Sequence, residues 1–171
     1  MGDSMFDTTD FRERYKKEEI DFASAVEHTT KVPIKIVHAT ENEDKYEHWD
    51  IKIVYNNAEV KFDVKAMKRK NRADSQPDPE IQWIELKGIT GHDGWVNGKA
   101  DYIAFEQLND WIIVRRDSLT TLIKTLCIDD EIHTTKEMYV RYQRSGRKDE
   151  IVLIKTADLD PIIAKRILKN T

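Results

Sequence analysis

Between Asp50 and Ala66 the chain alternates apolar and charged residues on both sides of Asn56-Asn57. A period of two marks a strand with one buried face, and Asn tolerates the left-handed backbone of a tight turn. Two strands, Asp50 to Tyr55 and Ala58 to Ala66, are therefore expected as a β-hairpin. On the second of them Val60, Phe62, Val64 and Ala66 point inward, while Glu59, Lys61, Asp63 and Lys65 point outward. Six Tyr, five Phe and four Trp supply the bulky anchors that such a sheet needs, even though 35% of the chain is charged. A chain of 171 residues buries roughly 70% of its unfolded surface, so no metal or disulfide is required merely to fold it.

Around the hairpin, other periods set the remaining elements. Residues 9 to 28 predict a helix capped by Asp10, with Phe11, Tyr15, Glu19, Phe22 and Val26 along one face. A strand is expected from Val32 to Thr40, then an acidic loop over 41–50. Residues 67–80 are basic and then proline-containing, show no period, and are expected as a loop. A strand from Ile81 to Gly88 leads into a segment punctuated by Gly88, Gly91, Gly94 and Gly98, and strands resume at 101–105 and 111–114. A helix capped by Ser118 is expected to Leu126. The tail predicts strands at Met138–Gln143 and Glu150–Lys155 around Ser145-Gly146, then a helix from Asp160 to Lys169 with Pro161 in its first turn. With no repeat or heptad, the expectation is one mixed α/β (α+β) domain over 1–171, with a core at about 10–126 and a C-terminal β-hairpin and helix from about 127.

The densest apolar run, Trp111-Ile112-Ile113-Val114, falls far short of the roughly 20 residues of a membrane helix. No membrane partner is expected. The N-terminal residues carry neither a secretion signal nor a myristoylation pattern, and Cys127 is the only cysteine. A single thiol builds no disulfide framework and no thiolate zinc site, so a reducing, cytoplasmic setting is expected.

The net charge of −4 conceals segregation. Residues 41–50 hold Glu41, Glu43, Asp44, Glu47 and Asp50 against Lys45. From Lys61 to Arg72 six basic residues face only Asp63, and from Lys136 to Lys148 five face only Glu137. Two readings stand: solvated surfaces, or a pair of phosphate-contacting patches on an otherwise acidic protein.

On the second hairpin strand Asp63 and Lys65 share a face, about 6–7 Å apart at ~3.3 Å rise per residue. Asp50 begins the partner strand, where its carboxylate can converge on the same ion. Two carboxylates with a lysine suit metal-assisted phosphodiester hydrolysis: hard oxygens select Mg²⁺ or Mn²⁺, and a lysine stabilises charge at the phosphorus. An acidic residue, any residue and then lysine recurs at Glu43-Lys45, Asp50-Lys52, Glu59-Lys61, Asp63-Lys65 and Glu85-Lys87. The tripeptide alone therefore decides nothing. Placement distinguishes Asp63-Lys65, which has apolar neighbours, an acidic residue opening the preceding strand and a basic loop behind it.

Asp50 at a strand start, Asp63-Val64-Lys65, the basic loop, Trp83-Ile84-Glu85-Leu86-Lys87, and then Gly94-Trp95 with Gly98-Lys99-Ala100-Asp101-Tyr102-Ile103 resemble the PD-(D/E)XK nuclease superfamily. The likeness is to its small bacteriophage-like members and spans roughly residues 10–115. It implies a restriction-endonuclease-like αβββαβ core with a central mixed sheet flanked by helices. It also implies divalent-metal-dependent cleavage of DNA, with RNA as a further candidate, by a metal-activated water. Asp50 and Asp63 would be ligands and Lys65 the catalytic lysine. Trp49 stands where the family's proline precedes the first acidic residue, and Asp63 stands where Glu is commoner.

Relatives of this kind often add a carboxylate from a helix, and Glu19 is the candidate, with Glu18 its rival. Glu85 is either a further metal-site carboxylate or, with Lys87, an alternative catalytic pair. Lys68, Arg69, Lys70 and Arg72 are expected to hold the nucleic-acid backbone, with Lys87 and Lys99 as further contacts. Trp83 and Trp95 are read as packing residues or as base-stacking platforms. The five histidines show no ligand spacing and are read as non-catalytic, His92 being the least secure exclusion, and no motif supports Cys127 with His133 as a nucleophilic pair. Three functional classes stand beside one another: an Mg²⁺-dependent nuclease, with a dimeric Holliday-junction resolvase as a sub-case whose C-terminal hairpin pairs edge to edge with its copy; a silent nucleic-acid-binding protein of the same fold; and a protein-interaction module.

Overall fold

The apolar run 111–114 becomes a strand buried on both faces, and the molecule is layered around it. In the computed structural model, which describes residues 15–170, the elements run α1 (Lys17–Thr29), β1 (Lys35–His38), α2 (Glu41–Glu47), β2 (Ile51–Tyr55), β3 (Ala58–Lys65), β4 (Ile81–Lys87), a 3-10 turn (Trp95–Asn97), β5 (Tyr102–Glu106), β6 (Asp110–Arg115), α3 (Arg116–Leu126), β7 (Ile132–His133), β8 (Arg141–Tyr142), β9 (Glu150–Lys155), a 3-10 run (Thr156–Ile162) and β10 (Ile163–Leu168). A six-stranded sheet has the order β1-β2-β3-β5-β6-β10, and a four-stranded sheet has the order β4-β9-β8-β7. The larger sheet is mixed, since β3 and β5 run parallel while its other neighbours are antiparallel. The chain is thus a mixed α/β protein. Among the described residues no helix is long and apolar enough to cross a membrane.

Alternation sorts the core into two layers. Phe22, Ala25 and Val26 of α1 pack on Ile51, Phe62, Val64, Trp111 and Ile113 of the larger sheet. Ile103, Phe105, Ile112 and Val114 leave the opposite face of that sheet and meet Leu119 and Ile123 of α3 together with Ile84, Val152 and Ile154 of the smaller sheet. Trp111-Ile112-Ile113-Val114 therefore reads as a continuous apolar run because successive residues enter different cores.

The hairpin forms with Ile51 opposite Phe62 and Tyr55 opposite Ala58, and both Asn56 (φ 47°) and Asn57 (φ 64°) take the left-handed backbone that its turn requires. The outward face of β3 is solvated at Glu59 but not at Asp63, which is 2% exposed. The first helix begins at Lys17. Its expected cap Asp10, with Phe11, lies outside the described residues, and Tyr15 precedes the helix.

Five expectations need correction, the first being the Ser118 cap, since α3 starts at Arg116 and has no side-chain cap. Residues 41–47 form α2 rather than a loop: Thr40 and Glu43 make a reciprocal capping box, each side chain bonding the other's backbone N–H at 3.2 Å. The tail at 163–168 is strand β10, not a helix. Its pairing along β6 and the burial of Ile167 under α1 outweigh local helical preference, and the 3-10 run that holds Pro161 ends before it. Between β3 and β5 the chain carries the 67–80 loop, β4 and a 3-10 turn, so no helix occupies the place the αβββαβ order gives one; prolines 77 and 79 and the glycines from 88 onward deny the segment a helical period. Last, the C-terminal hairpin is not a sheet edge, since β9 lies between β4 and β8 while β7 covers β8. Residues beyond 127 consequently complete both sheets.

Candidate metal and nucleic-acid site

Two caps deliver Asp50 to its position. The capping box starts α2, and His48 ends it in the left-handed conformation (φ 56°), turning the chain back so that Trp49 and Asp50 enter β2 buried. Gly98 permits this turn to be tight, because a Cβ there would lie 2.6 Å from that of His48. The Asp50 carboxylate then accepts the Val64 N–H at 2.7 Å, in addition to the bond from the Asp50 N–H to the Phe62 carbonyl at 2.8 Å.

Four carboxylates surround this point. Glu19 of α1, Asp44 of α2 and Asp63 of β3 each feel the negative charge of Asp50, which favours their protonated forms. Burial first, and then the charge of Asp50, pushes the Glu19 carboxyl up to about 8. Burial also holds Asp63 well above the usual carboxylate range, against the opposing pull of Lys65. Asp44 rises for the same reasons, burial first and Asp50 second. Lys16 balances them from the α1 side, 3.8 Å from Glu19 and 3.9 Å from Asp44; burial acts to lower it, but Asp44, Asp50 and Glu19 outweigh that and raise it. A cavity of about 510 Å³ opens beside this group, lined by Lys16, Glu19, Asp44 and Asp50 and by the ring pair of Tyr15 and His38, stacked at 4.0 Å.

Lys65 approaches from the other side. Its Nζ lies 2.8 Å from Asp63 Oδ1 and 4.6 Å from the centre of the Trp95 ring. A second cavity, of about 450 Å³, contains Lys65 with Lys68, Arg69, Trp83, Glu85 and Trp95. Asp63 is buried between these groups, feeling the charge of Asp50 and paired with Lys65.

The sequence-expected residues divide accordingly. Asp50, Asp63, Lys65 and Glu19 come together, and Glu19 rather than Glu18 lines the cavity. Glu85 sits on β4 in the smaller sheet and shares a cavity with Lys65, not with Asp50. Lys87 turns away, pairing with Glu150 at 3.5 Å beside Cys127 and Arg141. Lys99 is tied to α2 through Glu47 at 3.7 Å. Lys68, Arg69, Lys70 and Arg72 do converge, in a groove next to the second cavity. Trp95 is a core residue, 5% exposed, whereas Trp83 lines that groove.

Asp44 and Lys16 were not anticipated. The Thr40-x-x-Glu43 pattern signalled the helix that carries Asp44, but an acidic run reads as a loop when its cap goes unnoticed. Also unanticipated was the trio Asp129, Glu131 and His133. Among the described residues it alone brings three such donor atoms within 4.8 Å of one another. It is a surface group in which His133 Nε2 lies 2.9 Å and 3.1 Å from the two Asp129 oxygens, and that pairing accounts for the geometry.

The carboxylates around Asp50 spread wider than this. They suit a hard divalent cation held by two protein oxygens with water completing the shell, the ordinary manner of Mg²⁺. One atom argues for such a ligand: Asp63 Oδ2 is buried and, among the described residues, accepts no hydrogen bond. Comparison of the chain with protein-family models, with characterised proteins and with solved structures finds no match.

Proposed function

We propose that the chain is a divalent-metal-dependent nuclease of the PD-(D/E)XK type, whose core departs from the family's αβββαβ order in having no α-helix between β3 and β5. The observation that carries the reading is the buried pair of Asp50 and Asp63, with an unpaired Asp63 oxygen and Lys65 at 2.8 Å. Asp50 and Asp63 would hold Mg²⁺ or Mn²⁺, which supplies charge neutralisation at the scissile phosphate and an acidified water. Lys65 is placed to exchange its partner Asp63 for a phosphate oxygen once a cation shares that carboxylate. Glu19, protonated over most of the neutral range, keeps the local negative charge down until a cation replaces its proton. Lys68 and Arg69, which share the Lys65 cavity, would position the phosphate backbone of DNA.

Cleavage of single-stranded, duplex and four-way-junction DNA tests this with Mg²⁺, Mn²⁺ or EDTA. Wild type is expected to cut only with metal, and Asp63→Asn and Lys65→Met are expected to lose at least a hundredfold. Mg²⁺ should also raise the melting temperature of wild type, and not that of Asp63→Asn. Binding of DNA without cutting under either metal would leave the silent binding protein as the reading.

A further inference from the structure

The two basic stretches, 61–72 and 136–148, lie far apart in sequence and meet in the fold. A groove of about 740 Å³ takes Lys68, Arg69, Lys70 and Arg72 from the 67–80 loop and Lys136 and Arg144 from the C-terminal region. Among the described residues no carboxylate lines it, in a protein whose net charge is −4. Arg144 is paired with the buried Asp149, but Lys68, Arg69, Lys70, Arg72 and Lys136 have no carboxylate partner among the described residues. Five such cations in one groove make a site for a polyanion.

Two aromatic side chains, Trp83 of β4 and Tyr142 of β8, line the same groove. Lys136 fixes its shape: the ammonium donates to the Lys70 carbonyl and to Asn71 Oδ1, both at 3.0 Å, and lies 5.1 Å from the centre of the Trp83 ring. The loop is thereby tied to the smaller sheet, and its cations Lys68, Arg69, Lys70 and Arg72 stay exposed. Lys68, Arg69, Trp83 and Arg144 line both this groove and the cavity containing Lys65. A chain lying in the groove has a continuous path to that lysine.

We propose that the groove binds single-stranded nucleic acid, with phosphates on Lys68, Arg69, Lys70, Arg72 and Lys136 and bases against Trp83 and Tyr142. Cations explain affinity for any phosphate backbone, but aromatic faces within a groove reward only bases that are not already stacked in a duplex. The onward route to Lys65 rests on the nuclease reading; binding in the groove does not.

Fluorescence anisotropy of the full chain in EDTA tests the proposal, using a labelled 12-nucleotide oligothymidylate and a duplex of equal length. Single strand is expected to bind at least tenfold more tightly than duplex. Lys136→Ala with Arg72→Ala should weaken binding at least tenfold and reduce the slope of log K against log salt by about 1.4, two contacts at about 0.7 each. Trp83→Leu should weaken binding about tenfold while leaving the slope unchanged. Circular dichroism melting of each variant shows whether the fold is kept, and Lys70→Ala with Arg72→Ala, both exposed, serves if either change unfolds the chain. Equal affinity for duplex, no binding by wild type, or wild-type affinity in the folded variants would each overturn the proposal. Tight binding in EDTA by a protein that cuts nothing with Mg²⁺ would support the groove and overturn the nuclease.

Discussion

Asp50 carries its carboxylate on the strand before Val64, and one of its oxygens accepts the Val64 N–H at 2.7 Å. This bond fixes the register of the residue between Asp63 and Lys65 against the end of α2, so the two acidic side chains are aligned by backbone geometry and not only by their mutual chemistry.

The bond separates structural from chemical roles at Asp50. Asp50→Ala leaves the Val64 N–H buried and unpaired, and should destabilise the protein by about 1–3 kcal/mol in urea denaturation. Asp50→Asn keeps an acceptor while removing the charge. It should retain most of that stability and still lose metal-induced stabilisation, measured by melting with and without Mg²⁺.

Glu19 sets a pH dependence whose sign follows from its raised proton affinity of about 8. Between the ordinary carboxylate range, about 4.5, and about 8 the folded chain binds a proton that the unfolded chain releases. Stability of the metal-free protein should therefore fall as pH rises through that window and level off above it. Asp63 and Asp44, raised likewise, add to the same slope. Melting in EDTA at pH 5, 6.5 and 8 should show the decline, with Glu19→Gln shallower than wild type; a Gln variant with an unchanged slope would exclude Glu19 as a source.

A second buried charge lies away from this cluster. Asp149 is fully buried and pairs with Arg144, while its Oδ1 has no partner among the described residues. Arg144→Leu should cost about 3–5 kcal/mol by stranding the carboxylate, and Arg144→Leu with Asp149→Leu should recover most of it. Urea midpoints of the single and double variants measure the difference.

Gly94 is required by space. A Cβ at this position would lie 2.3 Å from the Glu85 carbonyl oxygen, a backbone atom that cannot step aside without moving β4. Gly94→Ala should destabilise by about 1–3 kcal/mol in the same assay, and should disturb the Trp83 and Glu85 side chains carried by that strand. Gly146, with nothing among the described residues within 4 Å but φ at 72°, should resist substitution for a conformational reason instead.

What the sequence determined by itself was local. Alternation over 50–66 specified the hairpin, and Asn56-Asn57 its turn, because strand period and left-handed tolerance belong to individual residues. The same pattern placed Asp63 and Lys65 on one face, and the helical spacing over 9–28 marked Phe22 and Val26 as the buried side of α1. The tertiary structure decided what no local period encodes. It made 163–168 a strand, because the free edge of β6 offered hydrogen bonds and a place for Ile167 that a solvent-exposed helix would not have had. It buried Asp63, outward by alternation, because the second layer of the fold covers that face. It brought Glu19 and Asp44 from two helices to Asp50, and it separated Lys87 and Lys99 from the other cations by giving each a carboxylate partner. Finally it joined basic stretches more than 60 residues apart, since Lys136 bonds to Lys70 and Asn71 across the sequence separation of 66 and 65 residues. Encounters of that kind depend on where chain reversals leave the strands, a property of the whole packing and not of any segment.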